Sequence, residues 1–110
     1  MAKTATDQVI QSSGNVFADL GLPDAAELQT KARLCAALNR IVERQRLSQS
    51  AVAATLGINQ PKVSALLKCK LEGFSVERLM RFLVALGHDV EILVKAKPTS
   101  RSARIAVKAA

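Results

Sequence analysis

The sequence is poor in the residue types on which most catalytic and metal sites depend. Its 110 residues include one His, two Cys, no Trp and no Tyr. So few His and Cys residues argue against a multi-ligand zinc site and against a disulfide framework. A catalytic base paired with a nucleophile is equally hard to assemble from this composition. We therefore expect neither an enzyme nor a protein that carries a metal ion or another cofactor.

Long apolar runs are also missing. The longest unbroken runs, 34–38 and 82–86, have five residues each, whereas a membrane-spanning helix needs roughly 18. The first residues, MAKTATDQVIQSS, contain no apolar core of the kind that a secretory signal has. Hydrophobic residues nevertheless make up 49% of the chain, which is enough to bury a core. The sequence thus predicts a single soluble domain in the cytoplasm.

Acidic residues are fewer than basic residues, and the net charge is +7. Much of this excess lies in residues 95–110, which contain five basic residues and no acid. The composition of this tail predicts disorder over 97–110. The tail would either be merely solvated or act as a basic arm that contacts the phosphates of a nucleic acid. We also expect residues 1–14 to be flexible, so that 15–96 form the folded domain. A basic chain suggests an acidic polymer as its partner, although charge alone is weak evidence.

Apolar periodicity predicts a largely helical domain. The first helix is expected from about residue 24 to about residue 46, with Pro23 and Asp24 suited to its first turn. Its apolar stripe follows three- and four-residue steps: Leu28, Ala32, Cys35, Leu38 and Val42. Three shorter helices are predicted over 49–56, from 60 to between 70 and 73, and over 76–86. Each of these has a favoured N-cap residue before it, namely Ser48, Asn59 and Ser75. Gly57 and Gly87 are expected to end the second and fourth helices.

The spacing of apolar residues along the sequence changes after the predicted fourth helix. In 88–95 the apolar residues Val90, Ile92 and Val94 alternate with polar ones, except that Leu93 interrupts the pattern. The alternation predicts a β-strand with one buried face. One available partner is the segment around Val9-Ile10. The other is the same strand in a second copy, paired antiparallel about a two-fold axis. We favour the second, which predicts a homodimer whose interface includes all three apolar residues.

The second and third helices carry the pattern of a helix-turn-helix. Such a motif needs a small residue at the helix crossing, a glycine in the turn, and apolar residues that fill the turn and face inward. The sequence supplies all of them: Ala53, Leu56, Gly57, Ile58, Val63 and Leu66. A purely structural helical hairpin in a protein–protein adaptor is the alternative interpretation.

The stretch LSQSAVAATLGINQPKVSALLKCKLEGFSVERLMRFLVALGHDVEIL resembles the Cro/CI-type (Xre) helix-turn-helix family. The upstream SSGNVFADLGLPDAAELQTKARLCAALNRIV and the downstream strand are similar to HigA-type antitoxins and their stand-alone relatives. The resemblance covers roughly residues 12–97. It implies an all-α, lambda-repressor-like domain with one C-terminal strand.

As to function, the resemblance implies a transcriptional repressor that binds double-stranded operator DNA at the nucleoid. It also implies an antitoxin that regulates its own operon and binds a RelE-like ribonuclease toxin. A solitary or phage-derived regulator without a toxin remains the alternative.

The resemblance also implies which residues face DNA, and helix stereochemistry agrees. The recognition helix would place its N-terminal half in the major groove, where Gln60 can pair with adenine and Ser64 can contact a base or a phosphate. Lys62 and Lys68 suit phosphates, and Asn59 serves first as a helix cap. The full set of expected DNA contacts is Gln49, Asn59, Gln60, Pro61, Lys62, Ser64, Ala65, Lys68, Lys70 and Ser75.

A few other residues invite functional interpretation. Cys35 is expected to be a small core residue, and Cys69 an incidental thiol at a helix end. The alternative for Cys69 is redox sensitivity, since its neighbours Lys68 and Lys70 would favour the thiolate. His88 is expected to be a helix-end residue rather than a pH sensor. The apolar segment containing Phe17, Leu20 and Leu22 is expected to dock onto the body or, in an antitoxin, to contact the toxin.

Overall fold

The computed structural model describes residues 25–109 and contains four α-helices in that range. They are α1 (Ala25–Gln45), α2 (Gln49–Leu56), α3 (Gln60–Leu67) and α4 (Val76–Ala85). All four predicted helices are thus confirmed. The predicted start of the first helix, the segment around Val9-Ile10 and the apolar segment 17–22 lie outside the described residues. Within residues 25–109, no helix is both long enough and apolar enough to cross a membrane.

Local sequence signals explain where the short helices begin. Ser48, Asn59 and Ser75 have extended backbone conformations, and each is the N-cap of the helix that follows. Each side-chain oxygen accepts a hydrogen bond from the backbone N–H three residues later, at 3.1, 2.9 and 3.1 Å. These bonds satisfy amides that have no partner within the helix. The predicted N-caps are therefore confirmed.

The end of α3 differs from the prediction, because the helix stops at Leu67 rather than between residues 70 and 73. The N–H of Lys70 bonds to the carbonyl of Ala65 at 2.9 Å, while Cys69 takes a left-handed conformation with φ 57°. This is the hydrogen-bonding pattern that terminates many helices, usually with glycine at the left-handed position. With cysteine there, the termination is not visible in the sequence.

The core lies between α1, α3 and α4, with α2 packed across α3 and α4. The predicted inward residues Cys35, Leu38 and Val42 are buried, whereas Leu28 and Ala32 of the same predicted stripe are exposed. The rings of Phe74 and Phe82 are also buried and meet edge to face, with centroids 6.0 Å apart. One cluster of apolar side chains therefore holds all four helices together.

The two cysteines contradict the expectation of separate thiols, because Cys35 and Cys69 are joined in a disulfide. Their Cα atoms lie 6.0 Å apart, within the usual range for such a bond. Cys35 is buried as predicted, but Cys69 is not incidental to the structure. The residues are 34 positions apart in the sequence, and only the packing of α3 against α1 brings them together.

The predicted strand over 88–95 does not form within the single chain, since residues 88–109 contain neither helix nor strand. Val90 packs against the core, but Ile92 and Val94 are 76% and 88% exposed. A strand is defined by hydrogen bonds to a neighbour, and this segment has no neighbouring strand among the described residues. In the tail beyond it, Val107 returns to pack against the core.

Candidate nucleic-acid interface

The turn between α2 and α3 has the geometry that the motif requires. Gly57 is left-handed, with φ 71° and ψ 32°, and its N–H bonds to the carbonyl of Ala53 at 2.9 Å. Ile58 is half-buried in the turn and bonds to the same carbonyl at 3.2 Å. Val63 and Leu66 on α3 are fully buried. The helix-turn-helix packing expected from the sequence is therefore present.

The opposite face of α3 is polar and open to solvent. Gln60, Pro61, Lys62 and Lys68 are exposed, while Ser64 and Ala65 are half-buried along the same helix. The remaining expected contact residues also lie at the surface, at helix starts or in the loop after α3: Gln49, Asn59, Lys70 and Ser75. The structure thus presents all of the expected residues at or near the surface. It groups five of them on α3, and Lys68 follows directly after its last residue.

A hydrogen bond that the sequence did not reveal holds the first side chain of α3. Nε2 of Gln60 donates to Oγ of Ser50 on α2 at 2.9 Å. Ser50 was missed because nothing in its immediate sequence indicates a contact with a residue ten positions away. Its position in the first turn of α2 is the only signal that could have suggested it.

The cations near the motif form no ion pairs with other residues in the described part of the chain. Within residues 25–109, the only ion pairs join Glu27 to Lys31 and Glu77 to Arg81. Lys62, Lys68 and Lys70 are therefore available to an external anion. Because positive charge and helix N-termini both attract phosphate, this surface suits a polyanion.

Arg78 is a further residue that sequence reasoning missed. Its guanidinium lies over the rings of Phe74 and Phe82, 5.2 and 5.5 Å from their centroids. Its backbone N–H donates a hydrogen bond to the side-chain oxygen of Ser75, the N-cap of α4. Arg78 therefore helps to fix the start of α4, beside the end of the loop that follows α3.

Comparisons with known proteins agree with this geometry. Residues 16–95 match a family model described as a helix-turn-helix domain. A solved structure described as an XRE-family transcriptional regulator is 66% identical, with a TM-score of 0.76; the match covers 80% of this chain and all of that one. No curated protein matches the chain. These regulators bind DNA and are not enzymes. The chain therefore belongs to the Xre-type helix-turn-helix family of DNA-binding transcriptional regulators.

Proposed function

We propose that this protein is a sequence-specific repressor that binds an operator in its own promoter as a homodimer. The observation that carries the proposal is the arrangement of Gln60 at the exposed start of α3. Its amide is held in place by Ser50 of the neighbouring helix, at 2.9 Å, without being buried. A side chain oriented in this way can read a base edge at a lower cost in conformational entropy.

The hydrogen-bonding capacity of Gln60 matches adenine. One Nε2 proton goes to Ser50, so the second proton can be donated to adenine N7 while Oε1 accepts from N6. Ser64 lies one turn further along the same face and can contact the next base or a phosphate. Pro61 and Ala65 offer apolar contacts that suit a thymine methyl group.

Phosphate contacts would set the position of α3 in the groove. Lys62, Lys68 and Lys70 supply positive charge along and just after the helix, and no residue within 25–109 forms an ion pair with them. Gln49 and Ser75 stand at the starts of α2 and α4, where backbone amides also point outward. Asn59 caps α3 through Lys62 N–H, so its own role is to keep the recognition helix regular.

Dimerisation would come from the segment over 88–95. Ile92 and Val94 would share one face of a strand with Leu93 on the other, and all three side chains are largely exposed. Antiparallel pairing with the same segment of a second copy would satisfy the backbone and cover the apolar face, which includes Val90. Two α3 helices could then occupy half-sites about 34 Å apart and exclude RNA polymerase.

The test measures binding to a duplex from the protein's own promoter region and to an unrelated duplex, across a salt series. We expect a clear preference for the promoter duplex and a dimeric mass in solution. Ile92→Glu should give a monomer that binds more weakly. Ile105→Glu is the matched control, since Ile105 is 71% exposed but lies outside the pairing segment. A monomeric native protein, or equal affinity for both duplexes, would contradict the proposal.

We further propose that the repressor is an antitoxin. The support is the similarity of its flanking segments to HigA-type antitoxins, and the expected partner is a RelE-like ribonuclease. Co-purification with a small basic ribonuclease-like protein encoded beside it would support this role. Operator binding without any such partner would identify a solitary or phage-derived regulator instead. The absence of salt-dependent DNA binding would favour a helical adaptor.

A further inference from the structure

The disulfide lies where the end of the recognition helix meets α1. Cys69 is the second residue after α3, and Cys35 is in the middle of α1. Sγ of Cys35 lies 3.1 Å from the carbonyl oxygen of Leu66, in the last turn of α3. The bond therefore ties the C-terminal end of α3 to the core.

The two sulfur atoms have opposite environments. Cys35 is 0% exposed, whereas Cys69 is exposed. Lys68 and Lys70 flank Cys69 and make no ion pair with any described residue. Their positive charge attracts anionic thiols to the exposed sulfur. Chemistry at this pair is therefore expected to begin at Cys69.

The side-chain amide of Asn39 lies close to both sulfur atoms. Nδ2 of Asn39 lies 3.4 Å from Sγ of Cys35 and 3.8 Å from Sγ of Cys69. A donor in this position can stabilise whichever sulfur carries negative charge when the bond is broken.

We propose that Cys35 and Cys69 form a thiol–disulfide exchange site for small thiols and disulfides of the glutathione class. In the oxidising direction, the Cys69 thiolate attacks a small disulfide, forms a mixed disulfide and releases one thiol. The Cys35 thiolate then attacks Sγ of Cys69 and releases the second thiol. The protein loses two electrons and two protons, and the small disulfide gains them. Reduction is the reverse, with a small thiol attacking the exposed sulfur of Cys69 first.

The consequence for DNA binding depends on the function proposed above. A DNA-binding regulator works in a reducing compartment, where disulfides that do form are usually transient and sensory. The oxidised pair holds the end of α3 against α1, and reduction releases this restraint. The redox state of the pair would then set the affinity of the recognition helix for DNA.

The first experiment tests the exchange site without DNA. The full chain is equilibrated in buffers of varying ratio of reduced to oxidised glutathione, then alkylated and weighed by mass spectrometry. We expect a direct change from two free thiols to one internal disulfide. Cys35→Ala should accumulate one glutathione on Cys69, and Cys69→Ser should leave Cys35 largely unmodified. Free thiols that persist in oxidised buffer, bridges between chains only, or equal modification of both variants would overturn the proposal.

A second measurement, the melting temperature Tm, tests whether the disulfide stabilises the folded domain. Because it closes a 34-residue separation, oxidation should raise Tm by roughly 10–20 °C. The Cys35→Ala variant should show no such difference between the two buffers. If Tm of the native protein were the same in both buffers, the proposal that the disulfide restrains α3 would be overturned.

The third readout measures affinity for the promoter duplex in both buffers. We expect the oxidised protein to bind roughly fivefold more tightly, and the Cys35→Ala variant to bind equally in both. If neither form binds DNA, the proposed function fails while the exchange site is judged by alkylation alone. If both forms bind equally although the disulfide forms, redox control of DNA binding is overturned.

Discussion

Gln60 and Ser50 face each other across the helix-turn-helix, and Nε2 of Gln60 donates to Oγ of Ser50 at 2.9 Å. The bond links the start of the recognition helix to the first turn of α2. It leaves Oε1 and one Nε2 proton of Gln60 free for a base. The contact thus connects the packing of the motif to the chemistry that it would perform.

Removing this hydrogen bond should weaken specific binding without changing the fold. Ser50→Ala leaves Gln60 free to adopt other rotamers, so we expect affinity for the promoter duplex to fall by about 0.5–1.5 kcal/mol. Binding to unrelated DNA should stay the same. Ser50→Thr keeps the hydroxyl and should retain most of the affinity. An equal loss on both duplexes would mean that Ser50 contacts the backbone rather than positioning Gln60.

Truncating the residues that would read bases should relax sequence preference. Gln60→Ala and Ser64→Ala are each expected to cost about 1–3 kcal/mol on the preferred duplex and little on others. Affinities measured for the promoter duplex and a panel of single-base variants check this. If Gln60→Ala keeps the native ranking of the panel, Gln60 does not read a base.

Removing the charge of Lys68 should weaken binding to every sequence alike. Losing one phosphate contact makes the negative slope of the logarithm of the binding constant against the logarithm of salt concentration less steep by about 1. Lys31→Ala is the matched control, because Lys31 is already paired with Glu27 at 3.3 Å on α1. A change of base preference with an intact salt slope would contradict the phosphate role of Lys68.

The turn glycine should be required for its backbone conformation and not for space. A Cβ at Gly57 would meet no atom within 4 Å, but φ is 71°. Gly57→Ala should therefore lower the free energy of unfolding by about 1 kcal/mol, which is a Tm decrease of about 4–8 °C. Gly57→Asn should cost less, since Asn tolerates this conformation better. A larger loss for Asn than for Ala would show that the turn is crowded.

Much of the fold was predictable because its signals are local. A capping residue acts on an amide three positions away, and an apolar stripe repeats within a few residues. Ser48, Asn59 and Ser75 therefore marked the helix starts, and Gly57 marked the turn. The inward residues Val63 and Leu66 followed from their spacing. The residues of the outward face, and their assignment to DNA contacts, followed from this spacing together with the resemblance to the Xre family.

The remaining features depend on contacts between segments that are distant in the sequence, and only the tertiary structure decided them. The packing of α3 against α1 made Cys35 and Cys69 partners, and the crossing of α2 over α3 brought Ser50 to Gln60. Leu28 and Ala32 fit the apolar stripe by spacing, yet the core covers only the later part of that stripe, from Cys35 onward. The alternation over 88–95 was evident in the sequence, but a strand requires a neighbour that the single described chain does not supply. Local patterns determined the elements of this protein, whereas its long-range pairs depended on how those elements pack, because only packing sets the distance between residues far apart in the chain.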